Sequence, residues 1–187
     1  TPASCIYQEM IIIDKQHQQM ALLSVLSEVK GSALIFTRTK HRAKKLTLVL
    51  RNAGYRTEEL HANRTLAQRK KAVAAMLSGT AQFLIATDIA ARGIDIPDLS
   101  IVINLELPDN PDDYIHRIGR TARAGKSGRA LSFVLSDQGD QLNRIQKLLN
   151  ANIQQVQIPN VPVAQLARPL APRRRSFRPR GRGYRRK

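Results

Sequence analysis

The chain has 187 residues, with 31 Lys and Arg against 14 Asp and Glu, a formal net charge of +17. That length makes one ordinary domain with some chain to spare, enough to close a core without disulfides or a structural metal. Cys5 is the only cysteine, which excludes a disulfide framework and a thiolate metal site. No apolar run reaches the roughly 18 residues of a membrane span and no signal peptide opens the chain, so a reducing, cytoplasmic setting fits. Thr1 stands first rather than Met, which suggests a piece of a longer protein.

Apolar runs rich in β-branched residues alternate with helical patterns. Ile6–Ile13 reads as a strand and 16–30 as a helix, with Met20, Leu22, Leu23 and Leu26 as its stripe and Gly31 as its stop. A short strand at 33–36 precedes a helix over Lys40–Asn52. The cycle repeats with a strand at 57–61, a helix over Leu66–Leu77 and strands at Phe83–Ala86 and 101–105. A helix at 111–122, a strand at 130–135, a helix at 138–149 and a last short strand at 155–158 complete the pattern. Strands that are apolar throughout, alternating with helices, predict an α/β fold in three layers: a mostly parallel sheet flanked by helices on both faces. Ligands in such sheets collect at the carboxyl ends of the strands. The loops after Phe36, His61, Ala86 and Leu105 are therefore the ones to watch.

Composition changes at the end. Residues 160–187 hold ten of the basic residues, four prolines and no acid, which predicts a disordered basic tail behind a domain of 1–159. Phe177 and Tyr184 sit among Arg-Gly pairs, a composition suited to stacking on single-stranded bases while contacting phosphates. The alternative is a merely solvated tail. Excluding it, 21 basic residues still face 14 acids, so tail and body alike point to a polyanionic partner.

Two segments carry most of the chemistry. In His116-Arg117-Ile118-Gly119-Arg120-Thr121-Ala122-Arg123, offsets of four and three put His116, Arg120 and Arg123 on one helical face. Like charges at that spacing cost roughly 0.2–0.5 kcal/mol per pair, which an anionic ligand offsets, and Arg forks match phosphate oxygens. A helix end that welcomes cations, stopped by Gly125, is the plainer explanation. The second segment, Ala86-Thr87-Asp88-Ile89-Ala90-Ala91-Arg92-Gly93-Ile94-Asp95-Ile96, follows a strand directly. It offers Gly93 for close backbone approach and Asp95 as an acceptor suited to a ribose hydroxyl. Gly125-Lys126-Ser127 ends like a phosphate-binding loop but lacks the first glycine at the required spacing and reads as a turn. His17, His41 and His61 have no partner at metal-ligand spacing.

Together with Ser32-Ala33-Leu34-Ile35-Phe36-Thr37-Arg38-Thr39-Lys40, these segments resemble motifs IV, V and VI of the C-terminal RecA-like domain of DEAD-box ATP-dependent RNA helicases. The likeness runs over about 6–158, and bacterial members with basic tails look closest. It implies that Arg123 is an arginine finger for the γ-phosphate, that Arg120 is a second contact to it, and that Gly93 and Asp95 lie at the phosphates and ribose. It implies further that Arg38, Thr39, Arg69 and Thr87 touch RNA, and that Arg92 and His116 couple nucleotide state to the domain interface. The implied cofactor is ATP with Mg held by an N-terminal RecA-like domain, the implied partners are that domain and RNA, and the fragment alone would not hydrolyse ATP. Departures are Ala62 and Leu66, where the family has Gly and Gln, and Ala122 where Gly is frequent. A non-enzymatic RNA-binding module driven by the tail is the competing class, and a DNA-directed translocating helicase a second. ATPase stimulated equally by DNA and RNA would favour the latter.

Overall fold

The computed structural model describes residues 6–96, 99–122 and 127–167. Seven strands and six helices alternate among them: β1 (Ile6–Ile13), α1 (Gln18–Glu28), β2 (Ser32–Phe36), α2 (Lys40–Asn52), β3 (Thr57–Leu60), α3 (Leu66–Leu77), β4 (Phe83–Ala86), α4 (Asp88–Ala91), β5 (Leu99–Asn104), α5 (Pro111–Ile118), β6 (Gly128–Leu135), α6 (Gly139–Leu149) and β7 (Gln154–Gln155). The strands form one sheet in the order β3-β4-β2-β5-β6-β1-β7, and every pairing is parallel. This is the three-layer RecA-like α/β architecture.

Period-two alternation divides the core between the two faces. On one, Ile11, Ile13, Ile35, Ile85, Ile103 and Phe133 pack against Leu22 and Leu26 of α1 and Leu46 and Leu50 of α2. On the other, Leu34, Phe36 and Leu84 meet Ala72 and Met76 of α3, while Met10, Ile12 and Val134 meet Tyr114 and Ile118 of α5 and Leu142 and Ile145 of α6. Full burial of each such side chain stabilises the fold by about 1.5–3 kcal/mol. Helix starts are set by side chains: the Thr39 hydroxyl accepts from Arg42 N–H, Thr65 and Gln68 form a capping box, and Asn110 caps α5 with Pro111 behind it.

Three features differ from the sequence pattern. A four-residue helix, α4, stands where a loop was predicted after Ala86. Helix α5 stops at Ile118 rather than 122, because the chain turns at Gly119 and Ala122 takes φ +57°. Residues 160–167, assigned by composition to the tail, continue along the body: Ala164 N–H donates to Ile12 O (3.1 Å) and Ala167 N–H to Ser136 O (2.7 Å), with Ala164 buried. Their apolar residues Val161, Ala164 and Leu166 supply the packing. Phe177 and Tyr184 lie outside the described residues. No helix among the described residues is long and apolar enough to cross a membrane.

Candidate functional site

The loops that leave the carboxyl ends of the central strands are pinned by the sheet itself. Thr37 N–H donates to Ala86 O (3.0 Å), Thr87 N–H to Leu60 O (3.1 Å) and Leu105 N–H to Phe36 O (3.1 Å). Each ladder thus runs one residue past its strand, and the polar side chains that follow start from a fixed platform.

Behind that platform lies a buried ion pair. Arg117 of α5 is 1% exposed and grips Asp88 of α4 through two bonds, Nε to Oδ1 (2.6 Å) and Nη2 to Oδ2 (2.8 Å). Its Nη1 donates to Asn104 Oδ1 (3.2 Å) and Glu106 O (2.6 Å), and the guanidinium lies 5.0 Å from the Phe36 ring centroid. Asn104 donates in turn to Ser132 Oγ (3.1 Å). A buried charge is tolerated when its donors are satisfied in this way. Arg117 therefore does not belong with the cations available to an anion, although the sequence places it among them. It clamps α4 to α5.

Arg120 lies just beyond α5, so it does not share a helical face with His116 as the spacing predicted. It still reaches the strand ends. Its Nη1 donates to Ile94 O (2.7 Å), beside Asp95, and the guanidinium is half-buried. Arg123 lies outside the described residues. Arg92 and His116 meet at Asp113: Arg92 Nη2 donates to Oδ1 (3.3 Å), and His116 Nδ1 stands 3.7 Å from the same oxygen. Both are exposed; the Arg92 bond ties the end of α4 to α5, while the His116 contact lies within α5. Gly93 has φ +75° with open space where a Cβ would stand, so the backbone conformation demands the glycine. Gly93, exposed Asp95, Arg92 and Arg69 line one groove of about 430 Å³ whose floor is Val73 and Ala90.

Further along the sheet edge, Arg38 N–H donates to Glu106 Oε2 (2.8 Å), and its guanidinium pairs with Asp109 (3.1 Å) across exposed surface. Such a pair is worth about 0–1 kcal/mol and opens readily to a stronger anion. Thr39 is exposed and caps α2; Thr87 precedes α4, half-buried. At the end of β3, His61 is buried, and its Nδ1 accepts from Asn63 N–H (3.3 Å). Desolvation lowers its pKa, and Lys40, Lys44, Arg69 and His41 lower it further, so the imidazole is neutral at pH 7. Its Nε2 lies 3.6 Å from Glu59, which Arg64 already engages. Burial also pushes the Tyr114 hydroxyl up to about 12.

Residues 14–125 match the profile of the helicase conserved C-terminal domain. The chain belongs to the helicase C-terminal domain family. Among similar proteins, the ATP-dependent rRNA helicase rrp3 of Neosartorya fischeri is 37% identical over 165 residues, 88% of this chain and 35% of that protein. The chain spans about a third of the length of the curated rrp3 relatives it matches. Of solved structures, E. coli DEAD-box protein SrmB bound to regulator of ribonuclease activity A aligns with TM-score 0.77 and 34% identity, covering 86% of this chain and 98% of that one. S. cerevisiae Dbp5 bound to RNA and ADP BeF3 aligns with TM-score 0.73 and 34% identity, covering 81% of this chain and 41% of that one. The helicase domain is thus of the DEAD-box type.

Two of the departures from the family pattern acquire a physical meaning here. Leu66 is 70% exposed in the first turn of α3, presenting apolar surface where the family has an amide. Ala122 takes a left-handed conformation, which costs roughly 1–2 kcal/mol for an L-residue and explains why glycine is frequent there. Sequence reasoning missed the division of labour between Arg117 and Arg120. The available signal was Asp88, a carboxylate at a strand end with no role assigned to it.

Proposed function

We propose that this chain is the C-terminal half of an ATP-dependent RNA helicase, supplying one wall of a composite nucleotide site and part of an RNA track. Arg120 and Arg123 would meet the γ-phosphate held by an N-terminal RecA-like domain, with Asp95 at the ribose and Gly93 near the phosphates. Arg38, Thr39, Arg69 and Thr87 would contact RNA phosphates and sugars, and Arg92 and His116 would transmit nucleotide state across the cleft. Mg would be held by the partner domain. The observation that carries this reading is the half-buried Arg120 guanidinium, anchored on Ile94 O beside Asp95 at the carboxyl ends of the strands. A cation held at a strand end is suited to charge that develops on another group. Similarity to proteins named as ATP-dependent rRNA helicases, and to one bound to RNA and ADP BeF3, supports the substrate classes.

On this reading the chain alone does not hydrolyse ATP, and the basic residues after 168 add sequence-independent RNA affinity. The test joins the chain to an N-terminal RecA-like domain. Arg123→Ala should remove most ATPase, since an arginine finger is worth about 10³–10⁵ in rate, and leave RNA binding nearly unchanged. Near-normal turnover in that variant overturns the proposal.

A further inference from the structure

Next to Arg69, one of the four residues assigned to RNA, further basic residues gather at the end of β3. Helices α2 and α3 both pack on this strand, and both begin at the same edge of the sheet, each capped by a threonine and each without an acid in its first turn. Lys40 Nζ donates to Asn63 Oδ1 (3.2 Å), which bridges the start of α2 to the loop between β3 and α3. Lys44 follows Lys40 by one helical turn and so shares its face. Lys40, Lys44, Arg69 and His41 each lower the pKa of the buried His61, so these basic residues lie near it. Of the neighbouring carboxylates, Glu59 is buried, paired with Arg64 and 3.6 Å from His61 Nε2, and Glu58 pairs with Arg51 (3.4 Å).

Lys40, Lys44 and Arg69, gathered over two helix starts, repel one another modestly, a cost that an anion lying between them offsets. Neutral His61 adds no charge but holds the loop through Asn63 N–H, so the bridge to Lys40 has a fixed footing.

We infer that Lys40 and Lys44, with Asn63 and Arg69, form a phosphodiester-binding extension that carries a single RNA strand past Thr39 and onto α2. The inference rests on the proposed RNA contacts of Thr39 and Arg69. It predicts two phosphate contacts in addition to theirs.

The test uses the full 187-residue chain and a fluorescent 12-nucleotide oligouridylate, titrated at several salt concentrations. Lys40→Gln with Lys44→Gln should reduce the slope of log K against log[salt] by about 1.4, at about 0.7 per contact for a single strand. Lys40→Arg with Lys44→Arg should restore it. Lys30→Gln with Lys147→Gln, which removes the same charge elsewhere, should leave the slope near the parent value. If the Lys40/Lys44 pair behaves like that control, the extension does not exist. Thr39→Ala and Arg69→Gln separate the two levels. If they weaken binding while the Lys40/Lys44 pair does not, only the extension falls; if they also leave binding intact, the RNA reading of this edge falls with it.

Discussion

Arg117 and Arg120 stand three residues apart in one basic segment, and the fold uses them in opposite ways. Arg117 turns inward: it is 1% exposed and satisfied by Asp88, Asn104 and a backbone carbonyl. Arg120 stays at the edge with one carbonyl, that of Ile94. The difference is one of neighbours rather than of residue type. A guanidinium buried against a carboxylate in low dielectric becomes part of the scaffold, whereas one left half-buried at the strand ends stays within reach of an anion. The buried pair aligns the residues around it, because α4 leads directly to Arg92, Gly93 and Asp95, and α5 leads to Arg120.

The sharpest way to break this comparison is by stability. Asp88→Ala leaves the Arg117 charge buried and unpaired and should cost about 3 kcal/mol in urea unfolding of the chain. Arg120→Ala should cost under about 1 kcal/mol, as a partly exposed group with one neutral acceptor. Equal losses in the two variants would abolish the distinction between clamp and available cation. A double-mutant cycle over Asp88 and Arg117 should show coupling, and one over Asp88 and Arg120 should not.

The turn that carries Arg120 depends on close backbone packing. A Cβ on Gly128 would stand 2.6 Å from Ala122 N, so Gly128→Ala should destabilise by about 1–3 kcal/mol through displacement of that turn. Thermal unfolding of the variant checks this.

At the other end of the edge, His61 offers a pH test. Its pKa in the folded chain is held below the ordinary 6.5, so as pH falls through that value the unfolded chain takes up a proton that the folded chain refuses. Stability should therefore decline below about pH 6.5, with a slope contribution of at most about 1.4 kcal/mol per pH unit. His61→Asn should flatten the decline over that window, and an unchanged slope would assign the effect to other groups.

The smallest effect concerns Ala122. Ala122→Gly relieves the left-handed strain but loosens the unfolded chain by about 0.4–1 kcal/mol. The net change in unfolding free energy should be slight and favourable, and a loss above about 1 kcal/mol would mean that the Ala122 methyl matters chiefly for packing.

Much of the fold was legible because it rests on local periodicity. The β1, α2, α3 and β4 boundaries follow directly from apolar spacing and helix stops. The failures occurred where tertiary contacts override local pattern. Helix α5 looks extendable to 122 on spacing alone, yet Thr121 Oγ1 donates to Leu99 O (3.1 Å) and ends it against β5. Residues 160–167 look like tail by composition, yet three apolar side chains and two backbone bonds hold them on the body. The candidate site was legible as a set of residue types but not as roles, since Arg69, Gly93 and Asp95 share a groove that no spacing foretells.

The sequence by itself determined the strands and every helix but α4, that the sheet is parallel with covered faces, and that cations collect at its carboxyl ends, because these follow from side-chain period and from charge. Only the tertiary structure decided which of those cations remain available. That choice depends on whether a carboxylate 29 residues away in the chain is brought within hydrogen-bond reach, as Asp88 is to Arg117, and the free energy of a buried charge is set by such a partner and not by the charge alone.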